Sequence, residues 1–260
     1  MLKKLEILGV GITDASMRQI LEYVFSSLKN NSKKGYIVTP NPEIIVYARG
    51  HSKYRSILNE ADLALCDGVG LYLASILLQK HLHSRVTGVD LMEELCKESV
   101  RNAVTVGFLG GGHGIALKAS KCLSEKYPGL RVAFASEEWP QGVTNGHLFM
   151  VNGTEKKKFI NTHTNIRDQV SQIDILFVAF GFPKQEEFIA ENLTHLPVQM
   201  AMGVGGAFDY FAGGVLRAPY VVRSLGVEWL FRLVMQPWRL RRQFSLLTFI
   251  WLVLREKFHV

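Results

Sequence analysis

Ala61-Asp-Leu-Ala-Leu-Cys-Asp67-Gly-Val-Gly70 is the stretch from which the fold can be worked out. Residues 63–66 form a short apolar run of the kind found in a strand buried on both faces, and the run stops at a carboxylate followed by two glycines. In open parallel α/β sheets, ligands sit beyond the carboxyl ends of the strands, so an acid on a glycine turn there can face substrate without obstruction. Asp67 is therefore the first candidate for chemistry. The same residue can equally cap a helix running from about Val69 to Leu78, and on this stretch alone both readings stand.

Working outward, the chain alternates strand and helix. Residues 6–10 are expected to form a first strand, and Asp14 to cap a helix carrying the apolar stripe Met17, Ile20, Leu21, Val24, Phe25 and Leu28. A second strand over 36–39 ends in Thr39-Pro-Asn-Pro-Glu43, where two prolines halt the ladder and Pro42 can start a helix. Thr39 thus occupies a strand end, like Asp67. Helices are expected over 51–60 and, capped by Thr87 or Asp90, over 91–100.

A strand over 105–109 opens into Gly110-Gly-Gly-His-Gly114 and a helix over 115–126, followed by a strand over 131–135. Residues 136–152 are expected to be loop and about 154–172 a polar helix. A strongly apolar strand over 173–180 ends in Gly181-Phe-Pro-Lys-Gln-Glu-Glu187 and leads into another helix. The last clear strand, 198–202, ends in Gly203-Val-Gly-Gly206. This alternation predicts an α/β fold, a Rossmann-like mostly parallel sheet with helices on both faces and right-handed crossovers. After Gly214 only helices are expected, over 219–225, 227–235 and 238–258, with Pro237 separating the last two. The domain boundaries that follow are a body over 1–214 and a helical appendage over 215–260.

At 260 residues and 48% hydrophobic content the chain can bury a large core. Cys66, Cys96 and Cys122 lie far apart with no Cys-x-x-Cys, which argues against a disulfide framework or structural zinc, and the N-terminus has no signal-peptide pattern. Cytoplasm is the expected location. The formal charge of +7 is unevenly spread: from Val215 onward, seven arginines and one lysine face only Glu228 and Glu256, a net of +6. Trp229, Trp238 and Trp251 lie among those arginines.

Residues 110–114 fit either a phosphate-cradling helix start or a plain tight turn. Glu137, beyond the next strand, falls about where a dinucleotide fold places its ribose acid, which keeps a nicotinamide-dependent oxidoreductase as the alternative enzyme. No Asp-x-Asp occurs and the histidines have no metal spacing, so any diphosphate would have to be met by arginine, whose guanidinium pairs with phosphate bidentately. A solvated helix face is the plainer account of those arginines. Residues 244–254 are apolar but far short of the roughly 20 needed to span a bilayer. They suit a helix docked on its own core or one lying in a membrane interface, and the Trp and Arg clustering favours the interface. Charge alone would allow nucleic acid, but no recognition motif supports it, and none is expected as a partner. A non-catalytic membrane-bound sugar-nucleotide-binding module is the third reading.

Six blocks taken together resemble the WecG/TagA/CpsF family of bacterial glycosyltransferases. They are Thr39-Pro-Asn-Pro-Glu43, Ala61-Asp-Leu-Ala-Leu-Cys-Asp-Gly68, Arg85-Val-Thr-Gly-Val-Asp90, Gly107-Phe-Leu-Gly-Gly111, Gly181-Phe-Pro-Lys-Gln-Glu186, and Gly203-Val-Gly-Gly-Ala-Phe-Asp209 with Arg217-Ala-Pro219. The segment over 137–165 looks longer than is usual for that family. The resemblance implies inverting transfer of an N-acetylmannosamine-type sugar from a UDP donor to a polyprenyl-diphosphate-linked N-acetylglucosamine at the cytoplasmic membrane face, in cell-surface polysaccharide or teichoic acid synthesis. It implies Asp67 as general base with Thr39 beside it in the catalytic pair. Asn41, Arg85, Gly110, Gly111, Gln185, Glu186 and Gly205 would bind substrate, and Arg232, Arg239 and Arg242 of the appendage would close over the donor diphosphate. No cofactor and no metal are implied. An anionic membrane surface is an expected partner, and the family's repertoire also allows a homo-oligomer off the membrane.

Overall fold

The computed structural model describes residues 2–30, 33–139, 173–224, 226–235 and 240–258. The polar helix expected over 154–172, nearly all of the 137–165 segment, Pro237 and Arg239 lie outside them. The chain gathers into two compact units: Met1–Gln19, Val38–Gly88 and Leu216–Val260 make one, Ile20–Ile37 and Val89–Val215 the other.

The main sheet has six strands in the order β4-β3-β8-β7-β5-β6, formed by β3 (Gly35–Val38), β4 (Leu63–Ala64), β5 (Thr105–Gly110), β6 (Arg131–Ser136), β7 (Ile173–Ala179) and β8 (Val198–Gly203). The pairings β3–β8, β8–β7, β7–β5 and β5–β6 are all parallel. β3 and β8 are buried at every residue, which is why their sequences are apolar on both faces, with Gln199 the one polar side chain among them. This is the Rossmann-like α/β architecture that the alternation predicted. In the second unit, Phe108 is flanked by Phe177 and Phe208 at ring-centroid distances of 5.5 and 5.6 Å, the aromatic centre of a core that covers both sheet faces.

The first unit departs from expectation at its start. Instead of one strand there is an antiparallel hairpin, β1 (Lys4–Ile7) and β2 (Val10–Thr13), turned at Leu8 (φ 52°) and Gly9 (φ 83°). Two successive positive φ values make the tight hairpin turn whose twist suits its strands. Leucine is unusual there, and its burial to 2% exposure offsets the roughly 1–2 kcal/mol cost of the left-handed conformation.

Helix α1 (Met17–Lys29) is capped by Ser16, not Asp14. Ser16 N–H donates to Gln19 Oε1 at 2.9 Å and Gln19 N–H to Ser16 Oγ at 3.4 Å, a reciprocal box that satisfies two helix-start donors. Asp14 instead accepts from the backbone N–H of His83 at 2.8 Å and contacts the His83 ring Nδ1 at 2.6 Å.

The other helices fall near their expected places: α2 (Pro42–Gly50), α3 (Ser52–Glu60), α4 (Val69–Leu77), α5 (Gly88–Arg101), α6 (Ile115–Lys126) and α7 (Lys184–Asn192). A short α8 (Ala207–Phe211) follows β8, where no helix was expected. The C-terminal segment contains α9 (Tyr220–Ser224), α10 (Glu228–Met235) and α11 (Leu240–Phe258).

Two predictions follow from these contacts. Gly110 has φ +102°, and a Cβ there would lie 2.9 Å from the Ala179 backbone, so Gly110→Ala should destabilise the protein by roughly 2–4 kcal/mol, read as a lower urea midpoint at unchanged m-value. For Asp14, burial acts to raise the pKa, but the hydrogen bonds from the His83 N–H and ring, with the charges of His83 and Lys3, outweigh it and hold the carboxyl below its usual range. A depressed carboxylate contributes stability that is present above its unfolded pKa and lost as pH falls through its folded value. Thermal unfolding should therefore show an acid limb below about pH 4 that Asp14→Asn flattens, at a cost of roughly 1–2 kcal/mol at pH 7.

Candidate functional site

In the first unit, the chemistry gathers where β3 and β4 end. The ladder continues past both strands: Leu65 N–H donates to Val38 O and Asp67 N–H to Pro40 O, each at 2.9 Å. Thr39 is buried at 8% exposure, whereas Asp67 is half-buried, so its carboxylate is not sealed into the interior. The N-cap position of α4 belongs to Gly68 (φ 94°), with no side-chain capping bond. The cap position is thus Gly68, one residue beyond the Asp67 that the sequence offered for it. Asn41 does cap its helix, its Oδ1 accepting from Ile44 N–H at 3.0 Å.

Beside Asp67, burial above all, with the Asp67 charge adding and Arg85 opposing, pushes the Cys66 thiol up to about 12. A neutral thiol next to a carboxylate is inert, so Cys66 supplies packing rather than a nucleophile. Arg85 donates through Nη2 to the Arg223 carbonyl at 2.9 Å, and Arg223 Nε to Ala218 O at 3.1 Å. The Arg85 loop is thereby tied to α9.

The rest of the C-terminal segment meets the same strand ends. α11 packs on α2 and α4, the two helices that leave Thr39 and Asp67. A Cβ on Gly70 would lie 2.9 Å from Pro42 Cγ and 3.6 Å from Leu246 Cδ1, and one on Gly226 would lie 2.7 Å from Val69 Cβ. The segment therefore touches the first turn of α4, two residues beyond Asp67. Arg232 sits half-buried on α10 and Arg242 in the first turn of α11, while Arg239 lies outside the described residues.

The second unit holds a cavity of about 510 Å³ at the carboxyl ends of β5, β7 and β8. Its glycines are residues 110–112, 181, 205 and 206, so Gly110, Gly111 and Gly205 of the expected set line it. Glu137, Glu138, Asp209 and Phe180 contribute to its wall, and among the described residues no lysine or arginine does. Such a lining accepts hydrogen bonds from hydroxyls and ring N–H groups, the donors of a nucleoside or sugar.

Every residue over 110–114 has positive φ. Gly111 N–H is used on Ala179 O, Ile115 N–H on Gly112 O, and Gly114 N–H on Glu137 Oε1 at 2.6 Å. The start of α6 therefore carries its own carboxylate, which the helix dipole favours and which repels a second anion there. This is the tight-turn reading of the glycine run, and it gives Glu137 a structural task besides its place in the cavity wall. Sequence spacing could not reveal that task, because only the fold brings Glu137 back to Gly114.

Gln185 and Glu186 are buried at 3% and 1% exposure on α7. Gln185 Oε1 accepts from Gly205 N–H at 2.9 Å and its Nε2 donates to Glu186 Oε1 at 2.8 Å. They meet the cavity through the loop they hold, not as lining residues. Phe180, Glu138 and Asp209, which do line it, were given no role from sequence, though Phe180 and Glu138 lie just beyond strand ends and Asp209 on α8. Among the described residues, no group of three or more His, Cys, Asp or Glu side chains is arranged to hold a metal ion.

The model of the glycosyl transferase WecG/TagA/CpsF family matches residues 5–260. Proteins of Staphylococcus aureus strains MW2 and MRSA252, each named N-acetylglucosaminyldiphosphoundecaprenol N-acetyl-beta-D-mannosaminyltransferase, are 32% identical to this chain over 255 residues, covering 98% of it and 93% of their own length. With a match of that extent over a parallel α/β sheet and its C-terminal helices, the chain belongs to the WecG/TagA/CpsF family and is a glycosyltransferase.

Proposed function

We propose that this enzyme transfers N-acetylmannosamine, or a closely related hexose, from a UDP donor to a polyprenyl-diphosphate-linked N-acetylglucosamine in cell-surface polymer synthesis, with inversion and without a metal. The reading is carried by one observation: a half-buried carboxylate at the end of β4, with the C-terminal segment packed against the helix turn that follows it. The relatives' shared name supports the choice of sugar and acceptor.

In this mechanism, Asp67 takes the proton of the acceptor hydroxyl as its oxygen attacks the anomeric carbon. The bond from that carbon to the diphosphate oxygen breaks on the opposite face, and the electron pair departs with UDP. Thr39 orients the reacting sugar. Arg232, Arg239 and Arg242 neutralise charge growing on the leaving diphosphate, a task for which the acidic glycine-lined cavity is unsuited and which the metal would otherwise perform. In the second unit, Gly110, Gly111 and Gly205 line a cavity suited to substrate hydroxyl groups, and Gln185 holds the Gly205 loop in place.

The acceptor is lipid-borne, so the enzyme works at an anionic membrane surface, on the inner face of the cell membrane. No helix among the described residues is long and apolar enough to cross one. The C-terminal segment supplies the contact, since Trp229, Leu230, Val234 and Met235 of α10 and Phe244, Leu247, Trp251 and Phe258 of α11 are all exposed.

Asp67→Asn should retain UDP binding, seen as thermal stabilisation by UDP but not by NAD, and lose about 10²–10⁴-fold in turnover. Near-normal turnover would remove Asp67 from the role of base. Arg239→Ala should lower turnover by roughly 10²–10³-fold even with a short-chain soluble acceptor. A defect confined to vesicle binding would instead make Arg239 an anchoring residue.

A further inference from the structure

α11 is apolar around most of its circumference, yet only Phe249, Leu252 and Val253 among its described side chains are buried. Leu247, Trp251, Leu254 and Phe258 follow one another at spacings of four, three and four along the opposite stripe, and Leu254, the least exposed, is still 42% exposed. A helix apolar on both sides belongs inside an apolar environment, and the described residues cover just one side of this one. α4 repeats the pattern at smaller scale. Leu71 and Ala74 are buried, while Leu73, Ile76 and Leu77 are exposed at 56, 42 and 39%, at the i, i+3, i+4 spacing of a single face.

These two helices pack on each other, and Lys257 Nζ donates to the Leu77 carbonyl at 2.8 Å, tying their C-terminal ends together. Exposed cations stand at that end: Lys80 just past α4, and Arg255, whose guanidinium lies 5.4 Å from the centre of the Trp251 ring. Apolar side chains bordered by lysine and arginine, with a tryptophan under a guanidinium, match the boundary between acyl chains and anionic headgroups.

We propose that α4 of the body and α11 of the C-terminal segment form a single docking surface for an anionic lipid bilayer. Leu73, Ile76, Leu77, Trp251, Leu254 and Phe258 enter the acyl boundary, and Lys80 and Arg255 meet headgroup phosphates. The membrane contact thus includes a helix of the α/β body, and that helix starts two residues after Asp67 and is nine residues long. At 1.5 Å per residue, its bilayer-facing end lies roughly 13 Å along the axis from the candidate base. The bilayer-bound face and the catalytic carboxylate then share one rigid element. The inference rests on the proposed lipid acceptor only for its biological purpose, because vesicle binding is measured without donor or acceptor.

The test is co-sedimentation of the full chain with phosphatidylglycerol-containing vesicles and with pure phosphatidylcholine vesicles. Leu73→Gln/Ile76→Gln should weaken partition into the anionic vesicles about ten-fold, and Lys80→Glu should weaken it several-fold, with turnover on a short-chain soluble acceptor unchanged in both. An environment-sensitive dye on Ile76→Cys in a Cys122→Ser background, where the remaining Cys66 and Cys96 are buried, should shift to the blue on adding anionic vesicles even if the double variant folds poorly. Unchanged partition of a folded double variant, or no shift at position 76, overturns the proposal. So does a lipid-free oligomer that Leu73→Gln/Ile76→Gln dissociates while vesicle binding persists, which would assign the face to a second copy of the chain. Loss of transfer with vesicle binding intact would count against the proposed reaction and leave the docking surface standing.

Discussion

The hydrogen bond from Asp67 N–H to Pro40 O, 2.9 Å long, is the constraint on which the candidate site depends. It is made where both strands have run out. Pro40 and Pro42 lack the N–H groups a continued ladder would need, so β3 ends at Val38 and the Pro40 carbonyl remains as an acceptor. Asp67 is held by its backbone to that carbonyl. Asn41, between the two prolines, directs the chain into α2 by capping it, and the Pro42 ring then stands close enough to residue 70 that only glycine fits there. Two prolines, a cap and a glycine thus fix the backbone that carries this carboxylate.

The same strand ends set the electrostatics. Cys66 is pushed up by burial and by Asp67, and Arg85 works in the other direction, so the site contains a neutral thiol, a carboxylate and a guanidinium within mutual influence. Arg85 is also committed through Nη2 to the Arg223 carbonyl, at the end of α9. A residue tied to the C-terminal segment therefore lies within electrostatic reach of the neighbourhood of the candidate base. How that segment sits affects the field there.

Strand ends were legible in the sequence because they depend on local chemistry: an apolar run has to stop, and proline, glycine or a short polar residue stops it. Thr39, Asp67, Gly110, Gly181 and Gly205 were all located in this way. What escaped was whatever depends on a distant partner. Leu8-Gly9 carries no Asn-Gly or Asp-Gly signal, so the hairpin was taken for one strand. Asp14 and Ser16 are both good caps, and only the position of His83, 69 residues away, shows which of them is occupied elsewhere. Glu137 sat at the right spacing for a ribose acid, but the fold returns it to Gly114. Gln185 was picked out by the resemblance alone, and only the fold shows that its Oε1 holds the Gly205 loop.

The C-terminal helices show the same limit from the other side. A run such as residues 244–254 has one composition whether it is covered by protein or by lipid, since both are apolar, and periodicity cannot separate them when both sides of the helix are apolar. The fold separates them by showing which stripe is used: Phe249, Leu252 and Val253 are buried, and Leu247, Trp251, Leu254 and Phe258 are not. The buried stripe alone accounts for attachment of α11 to its unit. The exposed stripe adds nothing to that attachment, and it leaves large apolar side chains in water at about 25 cal/mol for every Å² they keep exposed. Such surface makes physical sense only where something apolar covers it, because the side chains that are unfavourable in water are favourable at a bilayer boundary such as the one proposed above.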